Sequence, residues 1–425
     1  MDLDDTPLTH SSAPTRQAFT AEAFSQFLES GWFLSVPSRS SQQILVGWGA
    51  LEAHVASPVM SVGQAALFAP DFRLKNANPW ISTPHWDLMD RSLFSKFVME
   101  HVARAKVSGK SPSGNSISGN KPGEFAAQTG SSPIELAAQT KSGDSSLIWC
   151  EPPRELFDRR FREITARFAT HQLDKAVPVV FATAQSQVSQ LRCLEILEHL
   201  IGLPSHLIIY GFWGKLNSYR EGMIGVTPEL LFSLVDGSLE TAALAATRAK
   251  PPDPADNARE ARALMDDPKE RTEHQFVIDD ISHVLEKVGE VKVGPTGILE
   301  LPTLFHLKTS IRARLNRELS LDQASKLLHP TPALGFAPRT LGMSEMDHWD
   351  DGVYRWRYGA PFGVDAALSP VERLNECVVA IRNIQWRDED IRLGSGCGVV
   401  RASVADREWQ ELKLKRDSVK RILGV

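Results

Sequence analysis

The sequence predicts an α+β fold, and three observations predict it. Segments of strand character and segments of helix character come in groups that alternate irregularly, without the steady βαβ rhythm of a parallel sheet. No glycine-rich phosphate fingerprint links a strand to a helix, which argues against a doubly wound nucleotide fold. The 425 residues are 42% hydrophobic and 23% charged, enough apolar material for one large core or two to three ordinary ones.

The elements follow in order. In the first hundred residues "GWFLSVP" and "QQILVGWGALEAHV" are short β-favouring runs bounded by Ser, Pro and Gly, and read as strands. From about 107 to 146 the chain is rich in Ser and Gly and poor in large apolar residues, the composition of a flexible surface insertion. Within it "AAQT" occurs at Ala126 and at Ala137, too brief an echo for a solenoid repeat. The insertion separates an N-terminal part, 1–149, from a second region, 150–425.

Beyond Cys150, "PRELFDRRFREITARFATHQ" reads as a helix, and "QLRCLEILEHLIG" as a second one stopped by Gly202. "HLIIYGFWGK", "MIGVTPELLFSLVDGSLETAALAATR" and "VVAIRNIQWRDEDIRLGSGCGVV" read as strands with tight turns. "QFVIDDISHVLEKVG" and "REWQELKLKRDSVKRILG" complete the helices.

The totals exclude several function classes. A net charge of −5, from 47 basic and 52 acidic residues, gives no field for nucleic acid or acidic membranes and leaves a small molecule as the expected partner. Cys150, Cys193, Cys377 and Cys397 have neither zinc-ligand spacing nor the pattern of a disulfide framework. The acidic, polar start "MDLDDTPLTH" lacks the features of a signal peptide, and no run has the apolar length of a membrane span, so a cytoplasmic location is expected. No apolar interface pattern demands an oligomer, and a monomer is expected.

Charges at core positions carry the functional signal. In "RTEHQFVIDDISHVLEKVG" the apolar stripe Val277, Ile281, Val284 and Val288 extends one turn back to Glu273. In the last helix the stripe Leu412, Val419 and Ile422 extends back to Glu408 and through Lys415, with Glu411 beside it. Acids in a first turn favour the helix dipole, and Glu411 with Lys415 is an ordinary i,i+4 pair. Two helices that both turn carboxylates inward also suit a hard cation such as Mg²⁺. In "HQLDKAVPVVF", Lys175 is either the solvated mouth of a strand or a lysine held there to take a proton.

Nine segments occur in a recognisable order: "VTPELL", "ETAALAATRAK", "DPKERTEHQFV", "LPTLFHLKTSI", "LHPTPALG", "RWRYGAPFG", "VVAIRN", "GSGCGVVRAS" and "EWQELKLK". This succession resembles the chorismate-binding enzymes of menaquinone, siderophore, tryptophan and folate synthesis, from roughly Cys150 to the end. The resemblance implies two large antiparallel β-sheets packed together and flanked by helices, with Mg²⁺ and chorismate in the cleft. It implies Glu273, Glu408 and Glu411 as metal carboxylates. Arg382 and Lys415 would hold the substrate's carboxylates, and His306, Tyr358, Ala246, Thr247, Gly396 and Gly398 would line the pocket.

The family divides by nucleophile, ammonia from a glutaminase partner or water activated by a lysine. Lys175 matches the lysine of the water-adding "KVVLAR"-like motif, and Ala245 stands where folate-branch enzymes often carry a lysine. The resemblance therefore implies an isochorismate synthase without an obligatory glutaminase. Lys175 would activate water for C2 of chorismate, and Glu229 would protonate the departing C4 hydroxyl. A salicylate synthase, an aminodeoxychorismate or anthranilate synthase component, and an inactive chorismate-binding homologue are the alternatives. Departures from the family pattern are Ala246, Ala360 and Phe336, each at a usual glycine, and Val180 at the motif's arginine. Pro178 interrupts the strand, which predicts an edge or a bulge.

Overall fold

The computed structural model describes residues 14–37, 42–107, 147–251, 253–301, 304–350 and 355–425. The first elements are β1 (Thr15–Arg16), α1 (Ala21–Glu29), β2 (Gly31–Ser35), β3 (Gln43–Trp48), β4 (Glu52–His54), β5 (Ala65–Phe68), β6 (Trp80–Ser82), β7 (His85–Asp90) and α2 (Arg91–Val107). Next come α3 (Arg154–Ala169), β8 (Lys175–Ala176), β9 (Val179–Gln185), α4 (Gln190–Ile201), β10 (Ile208–Leu216), β11 (Tyr219–Thr227), β12 (Leu230–Val235) and β13 (Ser238–Ala249). They are followed by α5 (Pro254–Asp266), α6 (Pro268–Glu286), β14 (Gly289–Glu300), β15 (Leu304–Leu315), α7 (Leu321–Leu328) and β16 (Phe336–Ala337). The chain closes with β17 (Pro361–Ser369), β18 (Glu372–Val379), β19 (Asn383–Arg387), β20 (Asp390–Gly396), β21 (Val399–Val400) and α8 (Ala405–Leu423).

The strands assemble into two nine-stranded sheets, ordered β1-β7-β3-β2-β10-β11-β19-β20-β9 and β14-β15-β13-β12-β18-β17-β5-β6-β4. All pairings in them are antiparallel except β1 with β7. The N-terminal strands contribute to both sheets, with β2 on β10 and β5 on β17. The Ser/Gly-rich stretch, Val107 apart, lies outside the described residues.

Strand alternation puts one face of each sheet toward the other. Trp32, Leu45, Tyr210 and Phe212 of the first sheet bury with Leu67, Phe362, Val364 and Val378 of the second in one apolar layer. Helices cover the outer faces. Phe24, Phe27, Phe94 and Leu197 pack on Phe33, Ile209 and Ile384, whereas Val277, Ile281, Leu285 and Leu328 pack on Leu239, Ala243 and Ile311. Each such large side chain contributes roughly 1.5–3 kcal/mol when fully buried. Arg91, also buried, donates to the carbonyls of Leu200, Leu203 and Leu207 and so ties the start of α2 to the end of α4 and the loop that follows it. Among the described residues no helix is long and apolar enough to cross a membrane.

Two local features position the site. Asp267 caps α6, accepting from the amides of Lys269 and Glu270, and Pro268 opens the first turn. That start fixes the helix phase and buries Glu270, Glu273, Val277 and Ile281 together. Lys175 sits in the central strand of a small third sheet, β16-β8-β21, paired with Ala337 on one side and Val400 on the other.

Candidate active site

The inward acids of α6 and α8 meet around a lysine. Lys269 Nζ lies 3.0 Å from Glu270 Oε1, 3.7 Å from Glu273 Oε2 and 3.1 Å from Glu408 Oε1, and so ties the two helices together. Glu411 takes Lys415 at 2.8 Å, and Lys415 also donates to the Gly396 carbonyl at 2.9 Å. Glu273 Oε1 faces Lys175 Nζ at 3.2 Å. The three expected metal acids are thus close neighbours, each held by a lysine. Sequence reasoning missed Glu270 and Lys269. Glu270 and Glu273 repeat the i,i+3 spacing of Glu408 and Glu411, and that repetition was the available signal.

Burial and crowding set the charges here. Burial pushes Glu408 up to about 7, with Glu411 adding to it, and burial with Glu273 raises Glu270 as well. For Glu273, burial is outweighed by Lys175 and Lys269, which hold it below the usual carboxylate range. The donor set fits a hard divalent cation: all its atoms are carboxylate oxygens, and Glu408 Oε2 is buried without a partner. As they stand, no three His, Cys, Asp or Glu side chains among the described residues converge on one metal position.

A small cavity opens on the other side of Glu273, bounded by Glu229, His306, Tyr358, Arg382 and Lys415. The β13–β15 ladder shifts register between Ala245 and Thr247, and Ala246 occupies the bulge with φ +64°. This left-handed geometry is strained for alanine. It turns the Ala246 carbonyl toward His306 Nδ1 at 2.9 Å, with Thr247 Oγ1 at 3.2 Å from the same nitrogen. On the opposite edge of the ring, His306 Nε2 faces Arg382 Nη2 at 2.5 Å. A guanidinium only donates and a carbonyl only accepts, so the partners assign the neutral tautomer with the proton on Nδ1. Burial and the Arg382 charge keep this histidine uncharged, well below its ordinary range. His306 in turn fixes the orientation of Arg382 at the cavity.

Glu229 stands apart from the carboxylate cluster. It is 7% exposed, and among the described residues nothing donates to its carboxylate. Burial pushes it up to about 7, although Arg382 and Lys175 pull the other way. Lys175 is fully buried, which decides against the solvated alternative for its strand. Burial lowers its pKa against the pull of Glu273. It lies behind Glu273 and not on the cavity wall.

The strand that carries Lys175 breaks as expected. At Pro178 the chain passes from β8 in the small sheet to β9 at the edge of the first large sheet. Two buried arginines hold the break: Arg355 donates to the Val177 carbonyl and Arg160 to that of Val179. Val180, at the motif's arginine position, and Phe336 pack with Phe157, Trp349 and Leu412 in one apolar cluster. Ala360 is buried too, its carbonyl accepting from the Ala380 amide.

Gly396 and Gly398 both line the cavity, and the space left by their missing side chains is used by neighbouring groups. A side chain at Gly398 would place its Cβ 1.9 Å from Glu273 Oε1, so the space there belongs to the carboxylate. At Gly396 the nearest obstacle is Val177 Cγ1 at 3.0 Å, and its carbonyl serves Lys415. Tyr358 lies flat against Gly394, where a Cβ would come within 2.6 Å of the ring.

Comparison with known proteins comes to the same place. Residues 126–424 match the family described as chorismate binding enzyme. The chain is 34% identical over 225 residues to the salicylate biosynthesis isochorismate synthase of Pseudomonas aeruginosa, covering 52% of this chain and 46% of that one. It is 27% identical over 283 residues to isochorismate synthase EntC of Escherichia coli, covering 64% of this chain and 68% of that one. The match thus spans about half the length of the first relative and two thirds of the second. Among solved structures, MenF, the menaquinone-specific isochorismate synthase of Escherichia coli, superposes with a TM-score of 0.68 at 18% identity. That superposition covers 95% of this chain and 90% of the other, and shows a shared fold.

Proposed function

The chain belongs to the chorismate binding enzyme family, and from that premise we propose that it is a Mg²⁺-dependent isochorismate synthase. Its substrate would be chorismate, converted by addition of water at C2 with loss of the C4 hydroxyl. The observation that carries this reading is the opposite tuning of two buried groups at one site. Burial shifts Glu229 toward its protonated acid form and Lys175 toward its neutral base form. A reaction that takes one proton from water and gives one to a leaving hydroxyl needs that pair.

In this mechanism Lys175 turns from Glu273 to the cavity and removes a proton as the water oxygen bonds to C2. The ring double bonds shift, the C4–O bond breaks, and Glu229 delivers the proton that lets the hydroxyl depart as water. Arg382, oriented by His306, and Lys415 hold the substrate carboxylates, the first as a planar fork and the second as a point charge. Mg²⁺ would be held by Glu273, Glu408 and Glu411 with Glu270, and would neutralise and place the ring carboxylate. The names of the Pseudomonas and Escherichia relatives support the same reaction.

The test is incubation with chorismate and Mg²⁺, with and without ammonium, followed by separation of products. Isochorismate formed without ammonium is expected. Salicylate with pyruvate would favour a salicylate synthase, and an amino product that requires ammonium would favour the amine-adding branch. Lys175→Ala should abolish turnover, and an unchanged rate in that variant would sink the water-activation role.

A further inference from the structure

Lys269 has no part in that mechanism, yet it touches acids of both helices. Its ammonium reaches Glu270 and Glu273 on α6 and Glu408 on α8, with 3.0 Å and 3.1 Å to the outer two. A cation that bridged the helices would need these same oxygens. The side chain is 20% exposed and lines a groove bounded by Thr247, Asp267, Arg407 and Glu411, so it has a route outward to solvent. Asp267, which caps the helix beneath it, is one acid it can meet there.

We infer that Lys269 is a tethered counter-ion, which closes the carboxylate cluster while no metal is bound and swings outward when a divalent cation enters. The inference rests on the reading of this cluster as the metal site. Four glutamates packed in a largely buried space repel one another, and the approach of the α6 and α8 ends requires positive charge between them. Lys175 neutralises Glu273 from behind and Lys415 neutralises Glu411 from the cavity side, whereas Lys269 covers the outer side. A metal drawing on Glu270, Glu273 and Glu408 together with an ammonium on the same oxygens would set two cations in contact. One must leave, and the lysine is the one on a flexible stem. Lys269 would thereby lower metal affinity while it protects the metal-free fold.

Binding of Mn²⁺ to the full-length protein, read from the paramagnetic resonance of free Mn²⁺, tests this without reference to turnover. Lys269→Met should bind Mn²⁺ about tenfold or more tighter than wild type, the scale of releasing a charge-assisted contact. Its metal-free unfolding midpoint should fall and Mn²⁺ should restore it. Lys269→Arg, which keeps the charge, should bind no tighter than wild type. Should Lys269→Met unfold without metal, Mn²⁺ must recover its fold, and failure to do so overturns the inference. Unchanged or weaker binding by Lys269→Met, with wild type still binding, overturns the counter-ion role and leaves the metal site standing. If wild type and both variants all fail to bind Mn²⁺, the metal reading falls and takes the inference with it.

Discussion

Replacing Glu229 by glutamine should remove activity and add stability. The carboxyl is buried and its pKa moves from an ordinary 4.5 to about 7, with burial as the largest cause. Between those two values the folded protein holds a proton that the unfolded chain releases. Folding stability from this group is therefore fully present below pH 4.5, declines as pH rises, and is lost once pH passes about 7. A change from 4.5 to about 7, at 1.36 kcal/mol per pH unit, makes the ionised carboxylate cost roughly 3 kcal/mol at pH 8. Glutamine cannot ionise, but its amide gains no partner among the described residues, which costs about 1 kcal/mol. Glu229→Gln should then exceed wild type by about 2 kcal/mol at pH 8 and fall about 1 kcal/mol below it at pH 4. Urea unfolding of both proteins across that range measures the difference. Chorismate turnover should drop by roughly 100-fold to 10,000-fold, the usual worth of a general acid. A stability difference that stayed flat with pH would refute the reasoning, because it would mean that Glu229 is ionised in the folded state like any exposed glutamate.

The same group should govern the alkaline limb of turnover: kcat/KM declines about tenfold per pH unit above about 7 as Glu229 loses its proton, which a pH–rate profile reads directly. Ala246→Gly should gain about 0.5 kcal/mol in urea unfolding. Relief of the left-handed alanine is worth about 1–2 kcal/mol, and the greater freedom of unfolded glycine offsets much of it. Ala246→Val, with a branched side chain at that φ, should instead lose stability. Gly398→Ala drives a methyl into Glu273 Oε1 and must turn that carboxylate away from Lys175. Turnover should fall about 100-fold with the far-UV circular dichroism unchanged, and wild-type turnover would show that Glu273 has room elsewhere.

How legible the molecule was depended on which forces left a trace in local sequence. Helices α6 and α8 were readable because their apolar stripes have helical period, and the acids at 273 and 408 stood out as charges on the buried face. The long hairpin β14–β15 left a weaker trace. β14 is exposed or half-exposed along most of its length and alternates poorly, so its pairing is decided by β15 and not by its own side chains. The break after Lys175 was foreshadowed by Pro178, but its support was not. Arg160 comes from the preceding helix α3 and Arg355 from 178 residues further on, and nothing local marks an arginine destined to serve a carbonyl of another element. Glu270 was missed because it sits in a first turn, where an acid needs no further explanation. Only the matched spacing of Glu408 and Glu411, read against it, separates the two cases.

The layout of charge also explains why Glu229 lies where it does. Glu270, Glu273, Glu408 and Glu411 each have a lysine within contact, and Glu273 with two of them is held below the usual range. A general acid held by two lysines as Glu273 is would be ionised at neutral pH and have no proton to give. Glu229 instead comes from the short turn between β11 and β12, on the second sheet's side of the cavity. There Arg382 is the nearest strong cation, and it is already engaged with His306. Burial can then dominate over attraction. The converse holds for Lys175: among the acids an ordinary surface lysine would keep its proton, and only complete removal from water lets burial outweigh Glu273. The two groups are tuned in opposite directions by one physical effect, desolvation, because the fold sets them on separate elements with different neighbours.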